Sequence, residues 1–170
     1  MTANEKSNLV LIGMPGAGKS TIGVILAKQA SMDFVDTDVL IQVSQQRSLQ
    51  DIIDHEGHVS LRQIEEDVLL GMRVRNHVIA TGGSAAYSDP AMQHLKSDGI
   101  VVFLDVDLVT LYVRVKDFSE RGLAKQPGQT FDDLYVERYS LYNQYADIIV
   151  RCVGLTQEEI CAIIMKELDD

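Results

Sequence analysis

Positive charge is scarce in this chain. Fifteen Lys and Arg stand against 25 Asp and Glu, a formal net charge of −10, which excludes a general affinity for nucleic acid or anionic lipid. Any phosphate-binding site must therefore rest on a few cations placed beside it. Cysteine is limited to Cys152 and Cys161, too few for a disulfide framework or a zinc site, and two ordinary thiols in a reducing compartment are expected. No apolar run approaches the ~20 residues that span a bilayer. Met1 to Ser7 is polar and lacks a signal peptide's apolar stretch, so a cytoplasmic location and no membrane partner are expected. Internal repeats and linker-like segments are also missing.

What remains is ordinary in bulk: 170 residues, 46% hydrophobic and 24% charged, enough for one domain over 1–170. Short apolar runs predict strands at Asn8–Ile12, Asp33–Asp36, His77–Ala80, Ile100–Leu104 and Asp147–Val150. Between them, 3.6-residue periodicity predicts helices over Thr21–Ala30, Leu108–Val115 and Phe131–Tyr145, and a final helix over Thr156–Leu168 opened by a Thr-x-x-Glu box. Val39–Val74 carries two or three helices broken near Glu56–Gly57, with apolar faces at Leu49, Ile52, Ile53 and at Leu61, Ile64, Val68, Leu69. Asp89 is expected to cap a helix with Pro90 in its first turn. Strands alternating with helices imply an α/β fold, a five-stranded parallel sheet doubly wound as a three-layer sandwich, with ligands beyond the carboxyl ends of the strands. The polar, aperiodic stretch at about 116–129 reads as a lid.

Gly13-Met14-Pro15-Gly16-Ala17-Gly18-Lys19-Ser20 matches G-x-x-x-x-G-K-[ST] between a strand and a helix. Its glycines let successive N–H groups turn into one concavity, and the following helix adds its positive end. Main-chain amides over 16–21, Ala17 and Thr21 included, would hold ATP. Lys19 would reach the β- and γ-phosphates, and the Ser20 hydroxyl would ligate Mg²⁺. No Asn-Lys-x-Asp guanine-reading motif accompanies it. Asp36 and Asp38 follow at the end of the second strand. One could hold Mg²⁺ and the other an acceptor hydroxyl, or they could be a strand-end residue and a helix cap.

Here the chain resembles the shikimate kinase family over nearly its whole length. The likeness rests on Asp36-Thr37-Asp38, on Gly57–Glu65 (GHVSLRQIE), on Thr81-Gly82-Gly83 and on Glu137–Asp147 (ERYSLYNQYAD). It implies a P-loop fold of the nucleoside-monophosphate-kinase type and ATP- and Mg²⁺-dependent phosphorylation of shikimate, with the helical segment at about 38–75 binding substrate. It assigns Asp38 to the acceptor hydroxyls and Asp36 to Mg²⁺. Arg62 and Arg138 would clamp the acceptor carboxylate, and Gly82 and Gly83 would let the backbone approach the ring. Arg121 in the lid would close over the phosphates, and Arg114 would lie near the adenine. Two positions depart from the pattern: Ser84 replaces the family's third glycine, and Gly122 follows Arg121 where proline is usual. Ser84 is expected to reshape the acceptor pocket, and Gly122 to loosen the lid. They keep open a kinase for another hydroxy acid such as homoserine or gluconate; a second, separate alternative is an inactive nucleotide-binding regulator. A monomer is expected. The four histidines and the tyrosines at 135–145 read as structural, and Glu65-Glu66-Asp67 as a solvated helix face from which Glu65 could pair with Arg62.

Overall fold

The computed structural model describes residues 6–115 and 122–170. Five strands, β1 (Asn8–Ile12), β2 (Asp33–Asp36), β3 (His77–Ala80), β4 (Gly99–Asp105) and β5 (Ile148–Arg151), form one sheet in the order β2-β3-β1-β4-β5, every pair parallel. β1 is buried along its full length and β4 along most of it. Helices cover both faces, which is why these strands read as continuous apolar runs and not as alternation.

The helices are α1 (Lys19–Ala30), α2 (Thr37–Gln45), α3 (Leu49–Glu56), α4 (His58–Gly71), α5 (Asp89–Ser97), α6 (Leu108–Arg114), α7 (Phe131–Tyr145) and α8 (Gln157–Asp169). A 3-10 turn spans Ala85–Tyr87. α1 packs on α8, while α4, α5 and α7 gather around the 3-10 turn. The stretch between β2 and β3 resolves into three helices. Gly57, at φ 88°, ends α3 and starts α4. Ile41, Ile52, Leu61 and Ala124 make a small second core, with Leu49, Ile53, Ile64 and Val68 packed against it, apart from the main core on the sheet. Only Leu69 leaves the expected face, joining the main core.

Local chemistry sets the helix ends. Thr156 and Glu159 form the expected reciprocal box at α8. At α5 the cap is Ser88, whose hydroxyl accepts from the Ala91 N–H, so Asp89 is the first helical residue instead. The Asp89 carboxylate has another partner, the Tyr145 hydroxyl at 2.7 Å.

Of the lid, residues 116–121, Arg121 among them, lie outside the described residues. The remainder is not loose. Gly122 sits at φ 62°, its N–H donates to Gln50 Oε1 at 2.9 Å, and a Cβ there would lie 2.6 Å from Leu49 Cβ. Gly122 thus meets α3 at this end of the lid. Proline could neither adopt that φ nor donate that hydrogen bond.

Candidate active site

The loop after β1 curls at Gly13, Gly16 and Gly18, at φ 151°, 87° and 95°, and packs against the end of β4, where a Cβ on Gly13 would come within 2.9 Å of the Leu104 carbonyl. The strand connections diverge between β1 and β4, which is where doubly wound sheets bind ligands. Lys19 is buried and its Nζ donates to the Gly13 and Met14 carbonyls at 2.6 and 2.9 Å. Burial lowers its pKa to about 8 against the opposing pull of the Asp38, Glu65 and Asp36 carboxylates.

A cleft of about 340 Å³ opens from this loop. Of the residues assigned from the sequence, Gly16, Gly18, Lys19, Ser20, Thr21, Asp38, Gly83, Ser84, Arg114 and Arg138 all line it. Ala17 is buried, and Gly13 is met only through its carbonyl. Arg114, at the end of α6, donates to the Gly16 and Ala17 carbonyls at 3.2 and 3.4 Å, so it braces the loop.

Asp36 does two things at once. One carboxylate oxygen caps α2 through the Asp38 and Val39 N–H groups, and the other accepts from the Ser20 hydroxyl at 2.5 Å. Hard oxygen donors thus meet at the mouth of the phosphate cradle, a donor set suited to Mg²⁺. Asp38, two residues on, faces the cleft, and burial together with the Asp36 charge raises its pKa, with Lys19 opposing.

The far wall is built of buried ionic side chains. Arg138 is 1% exposed, donating from Nη2 to the Ala124 carbonyl at 2.9 Å and from Nε to the Tyr87 hydroxyl at 3.4 Å. Gly82 and Gly83 pass so close that a Cβ on Gly83 would meet Arg138 Nη1 at 2.6 Å, and one on Gly82 would meet Glu65 Oε2 at 2.5 Å and Asp38 Oδ1 at 2.6 Å. The Thr37 hydroxyl accepts from the Gly82 N–H, and the Tyr142 hydroxyl donates to the Gly83 carbonyl. Both tethers hold the glycine run in place.

Glu65 corrects the reading of a solvated face. It is 4% exposed, pairs with Ser84 Oγ at 3.1 Å and not with Arg62, and has its pKa pushed up to about 7 by burial and by Asp38. Its position was legible: Leu61, Glu65 and Leu69 lie at i, i+4, i+8, an apolar stripe with a carboxylate inside it. Leu134, Arg138 and Tyr142 repeat that arrangement on α7 with a guanidinium in the middle. Thr37 and Tyr87 carry no comparable signal.

Arg62 is absent from the Lys19 cleft. It lies against the ring of Tyr87, 3.6 Å from the centroid, in an adjoining cavity of about 230 Å³. Its Nε and Nη2 are buried without a hydrogen-bond partner among the described residues. Arg138 approaches the same ring at 5.4 Å, so the two arginines flank Tyr87 from different cavities.

Comparison with known proteins accords with this geometry. A family model described as shikimate kinase matches residues 15–169. The chain is 34% identical to the shikimate kinase of Thermodesulfovibrio yellowstonii over 165 residues, 95% of each chain, and 35% identical to that of Pasteurella multocida over 170 residues, 98% of this chain and 95% of the other. Among solved structures, the Acinetobacter baumannii shikimate kinase in complex with shikimate superposes with a TM-score of 0.86 at 29% identity, covering 97% of this chain and 94% of the other. The Aquifex aeolicus shikimate kinase gives 0.80 at 32% identity, covering 95% and 96%. Thymidylate kinase from Candida albicans, at 13% identity with a TM-score of 0.59 over 99% and 93% of the chains, shares the fold. The chain belongs to the shikimate kinase family.

Proposed function

We propose that this chain transfers the γ-phosphoryl group of ATP to a hydroxyl of shikimate, giving shikimate 3-phosphate, within the cleft lined by Lys19, Asp38 and Arg138. The convergence of those three side chains on one cavity carries the reading. In this reading the main-chain amides of Gly16–Thr21 hold the phosphates and Lys19 neutralises charge on the β- and γ-oxygens, exchanging its carbonyl partners for phosphate. The acceptor hydroxyl attacks the γ-phosphorus as the bond to the β-bridging oxygen breaks. Asp38 orients that hydroxyl and takes its proton, a role suited to a carboxylate whose pKa burial raises. Arg138 binds the acceptor carboxylate with its fixed planar fork, and Arg62 serves as the second half of that clamp from across Tyr87. Arg121 would close over the transferring group. Mg²⁺ held by Ser20 and Asp36 would supply further charge neutralisation on the phosphates.

Little covalent help is needed beyond position and charge. The enzyme acts as a cytoplasmic monomer, needing neither nucleic acid nor membrane. Among the described residues no helix is long and apolar enough to cross a bilayer. The family relatives favour shikimate over homoserine or gluconate, and a silent nucleotide-binding regulator would have no use for a buried arginine beside an aspartate. Coupled ADP release, measured with shikimate, homoserine and gluconate in parallel, tests the assignment. Turnover is expected with shikimate. Turnover only with another acceptor would replace the substrate, and tight ATP binding with none of them would favour the regulator.

A further inference from the structure

Asp38 and Arg138, given the reacting and the anchoring end of the acceptor, each have a hydroxyl neighbour on the same helix. Thr37 precedes Asp38 in the first turn of α2, and Tyr142 lies one turn after Arg138 on α7. Both are buried, Thr37 at 0% and Tyr142 at 1% exposure, and their hydroxyls bond to consecutive residues. The Gly82 N–H donates to Thr37 Oγ1 at 3.2 Å, and the Tyr142 hydroxyl donates to the Gly83 carbonyl at 2.5 Å. These glycines run tight against the groups they connect. A Cβ on Gly82 would stand 2.6 Å from Asp38 Oδ1, and one on Gly83 2.6 Å from Arg138 Nη1 and 3.0 Å from the Pro15 ring of the phosphate loop. Upstream, the Thr81 N–H and hydroxyl both donate to the Leu11 carbonyl of β1, at 3.2 and 2.8 Å. Packing fixes the Tyr142 ring, 5.1 Å from that of Phe103 on β4. Burial holds its pKa well above the ordinary tyrosine value against the pull of Arg138, so the hydroxyl stays a donor.

We propose that Thr37 and Tyr142 are a pair of positioning residues that set the span between Asp38 and Arg138, with Gly82–Gly83 as the spacer. The inference rests on the acceptor roles given to Asp38 and Arg138 above. Neither Thr37 nor Tyr142 lines the cleft itself, so each acts through the spacer and not by contact. Two adjacent glycines have no side chains to be held by packing and the widest backbone freedom of any residue, so the hydrogen bonds to their peptide groups are what fix them. Without the Thr37 bond, the first turn of α2 can shift against the spacer, and the Asp38 carboxylate with it. Without the Tyr142 bond, the spacer can shift against α7, which changes where an acceptor carboxylate meets Arg138. An acceptor gripped at one end and reacting at the other is sensitive to that span, since a misplacement of about 1 Å can cost about 10²-fold in rate.

The experiment is steady-state kinetics with shikimate and ATP, with ADP affinity by calorimetry, on Thr37→Val, Thr37→Ser, Tyr142→Phe and the Thr37→Val/Tyr142→Phe double variant. Thr37→Val keeps the shape but removes the acceptor for the Gly82 N–H, Thr37→Ala run alongside removes it without adding a methyl, and Thr37→Ser keeps it. Thr37→Val and Thr37→Ala are expected to lower kcat about tenfold, through displacement of the reacting end. Tyr142→Phe should raise the shikimate KM about fivefold, the loss of one buried hydrogen bond. Thr37→Ser should stay within about twofold of wild type, and ADP affinity should not change in any variant, because the loop amides are untouched. Once one bond is gone the other no longer sets the span, so the double variant should lose less kcat/KM than the product of the two single losses. The span is overturned, with the proposed function left standing on wild-type turnover, by any of three results: Thr37→Val and Tyr142→Phe both within about twofold of wild type, Thr37→Ser as impaired as Thr37→Val, or single losses that multiply in full. A wild-type chain without shikimate turnover would remove the proposed function, and the span with it.

Discussion

On the side of the cleft proposed to take the nucleotide, the groups assigned to phosphate are main-chain amides from one continuous loop, with a single lysine and a single serine added. On the acceptor side they are side chains from distant parts of the chain, Asp38 from α2, Glu65 from α4, Ser84 beside the 3-10 turn and Arg138 from α7, all brought to one wall. The first half is held by backbone geometry and is indifferent to most side chains around it. The second is held by burial of ionic groups against one another, and there each substitution changes the charge balance of its neighbours. The contrast explains why one fold can keep its phosphate grip while changing acceptors. Ser84 and Gly122, the two positions where the resemblance to the family pattern breaks, both line the cleft.

The largest effect expected is on the nucleotide side. Lys19→Ala should lower kcat by about 10²–10³-fold, the loss of a preorganised charge on the transferring group, with the fold retained by circular dichroism. Activity within tenfold of wild type would show that the amides suffice without it. On the acceptor side, Gly122→Pro should undock the lid end, because a φ of 62° and the N–H bond to Gln50 are both denied. A loss of about 1–3 kcal/mol is expected, seen as a lower denaturation midpoint together with a raised shikimate KM. An unchanged midpoint would mean that this end is free after all.

The smallest effect separates the two halves by pH. The carboxyl of Glu65 titrates near 7 in the fold against a usual 4.5, because of burial first and Asp38 second. Between those values the folded chain binds the proton more tightly than the unfolded one, so stability falls as pH rises from about 5 to 7.5. In Glu65→Gln the slope over this window should flatten. If thermal unfolding of wild type and mutant shows parallel pH profiles, the fold does not raise the Glu65 titration.

The same contrast governs what could be read without coordinates. The five strands, the loop at Gly13–Ser20 and the break at Gly57 are legible because each follows from local pattern: apolar runs, glycine spacing, helical period. Ser88 took the cap from Asp89 because its hydroxyl meets the Ala91 N–H, while the Asp89 carboxylate receives the Tyr145 hydroxyl, a long-range contact that no local pattern announces. Glu65 fell within an acidic run and read as solvated, although its i±4 neighbours are leucines. The stripe was visible; the hydroxyl of Ser84 that makes burial tolerable was not. Tyr142 read as one of several packing tyrosines, and only the fold brings its hydroxyl to the Gly83 carbonyl. Arg62 was placed by resemblance in the Lys19 cleft and stands instead across Tyr87.

The division of labour is tested most directly by Asp38→Asn, with ADP affinity by calorimetry and shikimate turnover measured on the same preparation. The account predicts that ADP binding is unchanged while kcat with shikimate falls by about 10²–10⁴-fold. Turnover within a few-fold of wild type, or ADP affinity lost together with activity, would contradict it.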